Sequence, residues 1–267
     1  TGSRMAQVVG VAGAGKSTML EAARQAWEAQ GYRVHGAALS GKATFGLQES
    51  SGIESRTLAS WSQRWTRERD QIGRGDVFVI DEAGMIGSRQ MARFIEEVEA
   101  RGAKIVLVGD HEQLQSIGAG AAFRAIGQRS GFAELNGVRR QREGWQAEAT
   151  QQFSKQRTPE ALQAYRSRGD IVMEATRDTT RSRIVADYLA DRGERPEGSR
   201  VILAHQRADV AAMNAEVRSV LQARGALAQG DEAGERVFQT DVGKRAFAAG
   251  DRMVFLENNK SLGVMNG

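Results

Sequence analysis

Two stretches of this chain combine residue types and spacing suited to handling phosphate. The first is Gly10-Val11-Ala12-Gly13-Ala14-Gly15-Lys16-Ser17-Thr18. Small residues let backbone N–H groups close around an anion, and a helix opening at Lys16-Ser17 adds its positive dipole end. Lys16 can reach the β- and γ-phosphates of a nucleoside triphosphate, and the Ser17 hydroxyl can hold Mg²⁺. The second is Val77-Phe78-Val79-Ile80-Asp81-Glu82, an apolar run that ends in two carboxylates. At the end of a strand beside the loop, Asp81 suits a second Mg²⁺ contact, and Glu82 suits the general base that polarises an attacking water. A glutamate placed over water fits hydrolysis better than transfer to an acceptor, which argues against a small-molecule kinase.

A third apolar run, Val106-Leu107-Val108, leads into Gly109-Asp110-His111-Glu112-Gln113. Gln113 is placed to sense whether a γ-phosphate is present. The three histidines, His35, His111 and His205, are far apart and lack ligand spacing, so a histidine metal site is not expected.

The elements that must position these groups alternate. Val8–Val11 reads as a strand, and residues 17–30 as a helix that stops at Gly31. Val34–Leu39, Val77–Ile80 and Ile105–Val108 read as further strands. Between the last two, Met91, Ile95 and Val98 fall on one helical face behind Ser88 as candidate N-cap. Short apolar runs alternating with helices predict an α/β domain with a mostly parallel sheet buried on both faces, spanning residues 1–134. The opening Thr1-Gly2-Ser3-Arg4-Met5 is set aside from this reading. Trp61 and Trp65, four apart, are expected in the core rather than as a stacking surface for bases.

A second unit is expected over residues 135–235. A helix starts at Thr158-Pro159-Glu160 and closes at Gly169, and a longer amphipathic one covers Arg207–Arg224. Ile171–Met173 and Val201–Leu203 read as strands. Residues 236–267 form a β-rich piece with strands at Arg236–Gln239 and Arg252–Leu256.

Bulk composition leaves few other classes open. Of 267 residues, 40% are apolar and 26% charged, as in ordinary globular domains, and the net charge of +4 names no partner. There is no cysteine, so disulfides and thiolate metal sites are excluded. No apolar run approaches the roughly 20 residues a membrane helix needs, so no membrane partner is expected.

GVAGAGKST, ALSGKAT (38–44), VIDEAGM (79–85), GDHEQLQSIGAG (109–120) and VRRQ (138–141) resemble, in order and spacing, motifs I, Ia, II, III and IV of RecD-like superfamily 1 helicases. The resemblance is nearest to the helicase region of conjugative relaxases of the agrobacterial and rhizobial plasmid-transfer type. Residues 201–218 and 250–267 are similar to that family too. It implies a P-loop NTPase with two RecA-like parallel-sheet domains in tandem, the second incomplete. ATP and Mg²⁺ are the implied cofactors. Gly10, Ala12, Gly13, Ala14, Gly15, Lys16, Ser17 and Thr18 match the nucleotide loop, and Ser17 and Asp81 the metal contacts. Lys16, Glu82 and Gln113 match catalytic positions. Arg140 matches an arginine donated across the cleft by the second domain, with Arg139 as its rival. Ser40, Gly41, Lys42 and Thr44 match a motif that contacts single-stranded DNA, and Thr57 is a further backbone contact. The implied activity is a DNA translocase running 5′ to 3′ in the bacterial cytoplasm, with other conjugation proteins as further partners. Against the family pattern the chain reads as a fragment: motifs V and VI, the adenine-holding segment and the relaxase domain are not in it. Weak nucleotide affinity is the corresponding expectation.

Overall fold

The strand that enters the glycine loop begins earlier than its β-branched residues suggest. In the computed structural model, β1 is Met5–Gly10, and the Arg4 carbonyl already accepts a hydrogen bond from Ile105 N at 2.8 Å. The opening residues set aside on sequence therefore include the start of a central strand. The structure describes residues 4–11, 13–110, 121–135, 141, 143–240, 243–253 and 261–264.

Five more strands join β1: β2 (Arg33–Ala38), β3 (Ser55–Thr57), β4 (Asp76–Ile80), β5 (Lys104–Gly109) and β6 (Ala133–Leu135). Their order is β3-β2-β4-β5-β1-β6, and every pairing is parallel. β4 is buried along its whole length, as expected for a sheet covered on both faces.

Strand order and the right hand of β-α-β crossovers sort the helices between the faces. α1 (Lys16–Ala29) and α2 (Gly41–Ser51) carry the chain toward one edge and pack Leu20 and Leu47 against Val34, Val79 and Val106. α3 (Leu58–Thr66), α4 (Ser88–Ala100) and α5 (Ala122–Ser130) bring it back across the opposite face. Leu58, Trp61, Trp65, Met91, Phe94 and Phe123 form the core there. Trp61 and Trp65 are core residues, as expected. Trp61 Nε1 donates to the Gly36 carbonyl at 2.9 Å, and its ring meets Phe78 edge-on at 5.3 Å. Each such buried side chain stabilises the fold by roughly 1.5–3 kcal/mol.

The chain forms two compact units, Thr1–Ser167 with Val254–Gly267, and Arg168–Met253. The first also holds α6 (Gly144–Ser154) and α7 (Thr158–Arg166), the latter with Pro159 in its first turn. In the second, α8 (Arg177–Glu194) and α9 (Arg207–Ala223) pack through Val185, Leu189, Met213 and Leu221. β7 (Arg236–Thr240) and β8 (Gly243–Phe247) pair as an antiparallel hairpin.

Two expectations fail in this unit. Residues 171–173 and 201–203 are not strands. Val172, Met173, Val201 and Leu203 are exposed, Met173 at 80% and Leu203 at 84%, while Ile202 packs against the α8–α9 core, and no described strand pairs with either stretch. β7 confirms the expected strand at 236–239 and pairs with Gly243–Phe247, which the sequence did not mark; of the expected strand 252–256, residues 252 and 253 form no strand and 254–256 lie outside the described residues. Among the described residues no helix is long and apolar enough to cross a membrane.

Candidate nucleotide and DNA site

Because all six strands run parallel, their carboxyl ends share one edge, and the loops leaving that edge carry the residues singled out from sequence. Ligands of open α/β sheets bind at this edge. β1 exits at Gly10 into the glycine loop. Gly13 and Gly15 take positive φ values of 81° and 86°, a conformation open to glycine without steric penalty. A Cβ on Gly10 would crowd the Cβ atoms of Leu135 and Ala14 at 3.2 and 3.3 Å, so the backbone enters the loop in tight contact with its neighbours. Lys16 is the first residue of α1, and its Nζ spans the loop to donate to the carbonyls of Gly10 at 2.7 Å and Val11 at 3.3 Å. Ser17 and Thr18 are exposed in the same helical turn. Ala12 lies outside the described residues.

β4 exits at Ile80 into Asp81 and Glu82. Asp81 N donates to the Ala37 carbonyl of neighbouring β2 at 2.9 Å, which pins the strand end. Asp81 Oδ1 accepts from Glu82 N at 2.9 Å. Burial pushes the Asp81 carboxyl above its ordinary value, and the Glu82 N–H and the positive charge of Lys16 pull it partly back. The structure therefore brings Lys16 and Asp81, 65 positions apart in the chain, into one electrostatic site. The Ser17 hydroxyl and Asp81 carboxylate are hard oxygen donors of the kind Mg²⁺ takes.

Glu82 has φ 53° and ψ 36°, left-handed for a residue with a side chain. It leads into a short 3-10 turn, Ala83–Met85, which presses on the end of β5. A Cβ on Gly84 would stand 2.6 Å from the Asp110 carbonyl oxygen, and one on Gly109 would stand 3.0 Å from Gly84 N. The two loops thus touch backbone to backbone, and Asp110 is buried at 7% exposure. Sequence reading missed this contact; the glycine in each motif was its only trace.

Ser40 follows β2 and caps α2, its Oγ accepting from Ala43 N at 3.1 Å. Gly41 opens that helix, and Lys42 is exposed on its first turn. Thr44 is buried and donates to the Gly41 carbonyl at 2.7 Å, so its hydroxyl serves the helix locally. Thr57 ends β3 opposite Ala38 and caps α3 through Ser60 N at 3.2 Å. Both caps stand at the carboxyl edge. Gln113, Arg139 and Arg140 lie outside the described residues.

A family model described as "AAA domain" matches residues 1–176. The chain is 50% identical over 265 residues to the conjugal transfer protein TraA of Agrobacterium fabrum, covering 99% of this chain and 24% of that protein. It is 31% identical over 144 residues to the ATP-dependent RecD2 DNA helicase of Deinococcus radiodurans, covering 52% of this chain and 20% of that protein. Among solved structures, the Pif1 helicase of Candida albicans aligns with a TM-score of 0.38 and 19% identity over 49% of this chain and 36% of that one. The chain spans about a quarter of the length of the TraA relatives it matches. The names of these relatives agree with the resemblance drawn from the motifs. Since the family match takes in the glycine loop, the Asp81-Glu82 strand and the whole six-stranded sheet, the chain belongs to the AAA domain family.

Proposed function

We propose that this chain is the motor segment of an ATP-dependent helicase that moves on single-stranded DNA during conjugative transfer, in the bacterial cytoplasm. The observation that carries the reading is the shared sheet edge. It holds the glycine loop, the Asp81-Glu82 pair under the influence of Lys16, and the Ser40 and Thr57 caps. The backbone N–H groups of Gly13–Thr18 hold the phosphates, and Lys16 takes the charge that develops on the β- and γ-oxygens. Glu82 accepts a proton from water as the water oxygen bonds to the γ-phosphorus and the bond to the ADP oxygen breaks. Ser17 and Asp81 would hold Mg²⁺, which when bound neutralises phosphate charge. Gln113 reports the γ-phosphate, and Arg140 completes the site from a second RecA-like domain.

In this reading residues 1–134 form the first motor domain, 135–235 begin the second, and 236–267 begin an inserted β-rich subdomain. ATP closes the two domains, hydrolysis reopens them, and alternating grip moves the strand 5′ to 3′. Other conjugation proteins are further partners in the same proposal.

A second reading is a nucleotide-dependent single-strand clamp that hydrolyses little. The exposed apolar residues Met173 and Leu203 favour it: no described strand pairs with them, so among the described residues the unit Arg168–Met253 carries the β7–β8 hairpin and no parallel sheet. Phosphate release by the unaltered chain, Glu82→Gln and Arg140→Ala decides between them. The motor reading expects both variants to lose turnover while still binding ATP. Tight strand binding with no turnover in any of the three would favour the clamp.

A further inference from the structure

A groove between α3 and α4 takes no part in the hydrolytic reading. It encloses about 1020 Å³ and is walled by the first two turns of both helices. Those turns begin directly after Thr57 and after the 3-10 turn that follows β4, so the groove opens at the carboxyl edge. Leu58 and Phe94 give it an apolar floor, and Ser62 and Gln63 give it one polar wall. The facing wall carries Arg89 and Arg93, the only charged residues lining it among the described residues.

These two arginines differ from Arg64 and Arg101, the paired arginines of the same two helices. Both are exposed, one helical turn apart, and neither has a hydrogen bond or ion pair among the described residues. Arg101, on the capping residue of the same helix, is held by Glu97 at 2.8 Å, and Arg64 of α3 pairs with Asp70. In addition, the N-cap of α4 is Gly87 rather than the expected Ser88, so no side chain caps the first N–H groups of the helix. Positions i and i+4 bring two side chains within about 5–6 Å at Cβ, close enough to serve neighbouring phosphates of one strand. A helix terminus and two unpaired cations around an apolar floor suit a chain of phosphates carrying planar apolar groups.

We propose that this groove carries the phosphate backbone of single-stranded DNA, with Arg89 and Arg93 as contacts. It extends the track from Ser40 and Thr57 onto the face covered by α3 and α4. The contacts are to backbone, so they hold the strand without reading its sequence. The inference rests on the reading of the chain as a single-strand translocase.

The test is the salt dependence of binding to a fluorescent oligothymidylate, from 50 to 200 mM salt, for the full chain, Arg89→Ala/Arg93→Ala and Arg89→Lys/Arg93→Lys. Each phosphate contact to a single strand adds about 0.7 to the log–log slope. Losing two lowers it by about 1.4, so over this fourfold range the unaltered chain should lose about sevenfold more affinity than the alanine pair. The lysine pair should keep the steeper slope. Thermal melting checks that each variant is folded; should the alanine pair unfold, the single variants Arg89→Gln and Arg93→Gln should each lose about 0.7. An unchanged slope in folded variants overturns this proposal alone and points to another occupant, such as an acidic protein segment. Absence of binding by the unaltered chain overturns the translocase reading and this proposal with it.

Discussion

Glu82 is held in a left-handed backbone conformation that costs a residue with a side chain about 1–3 kcal/mol. It persists because Asp81 N is tied to β2 on one side and the 3-10 turn is pressed against β5 on the other. The doublet Asp81-Glu82 was legible in the sequence as a strand-end carboxylate pair. Its backbone geometry was not, since that depends on how closely β4 and β5 exit together. Two outcomes follow at this scale. Glu82→Gln should lower turnover by about 10²- to 10⁴-fold, the usual contribution of a general base, with ATP binding retained in equilibrium titration. Gly84→Ala should destabilise the chain by about 1–3 kcal/mol, because the new methyl meets a backbone oxygen that cannot turn aside. Urea unfolding measures it, and a neutral result would mean the two loops are not in contact.

The elements explain which parts of the fold could be read and which could not. β1, β2, β4 and β5 announce themselves because strands buried on both faces must be apolar runs. β3, Ser-Arg-Thr, and β6, Ala-Glu-Leu, carry no such signal. They are the two edge strands, three residues each, and are fixed by pairing on one side only. The opposite error arises at 171–173 and 201–203, where apolar runs call for burial but cannot supply a neighbouring strand. α8 was missed for a third reason: its surface is laced with ion pairs such as Arg183–Asp187 at 3.0 Å, so few apolar residues mark its face.

At the amino edge of the sheet, β2 and β4 are locked by Asp76, whose side chain is wholly buried. Burial alone would raise its pKa. Hydrogen bonds from Arg33 at 2.8 Å and Gly73 N at 2.6 Å, and contact with His35 Nε2 at 3.0 Å, outweigh it and lower the value below 3.8. A carboxylate with a depressed folded pKa contributes its stability above the unfolded value and loses it as pH falls through the folded one. Arg33 is itself largely exposed, so Asp76→Asn leaves no buried charge behind and should cost about 1–3 kcal/mol at neutral pH, from weakened hydrogen bonds at a buried carboxylate. The gap to the unaltered chain should narrow as pH drops below about 4. Denaturant titrations across that range check both parts.

At the scale of the molecule, one parallel sheet explains why residues scattered from Gly10 to Asp110 lie at one edge. Parallel order sends every strand's carboxyl end to one edge, and right-handed crossovers leave helix N-termini beside it. The phosphate loop, the carboxylate pair and the Ser40 and Thr57 caps meet there for that reason. Motif order alone made this arrangement legible, since the order of motifs along the chain is also the order of strand exits. The α3–α4 groove was not legible, because Arg89 and Arg93 look like any solvated helix face until their lack of partners is seen.

In the proposed function, this edge hydrolyses ATP in response to a DNA strand. The most direct measurement is steady-state ATP turnover by the unaltered chain as single-stranded DNA is titrated in, with Lys16→Ala in parallel. Turnover should rise with DNA to saturation and be abolished in Lys16→Ala. Turnover indifferent to DNA, or surviving the loss of Lys16, would contradict that function.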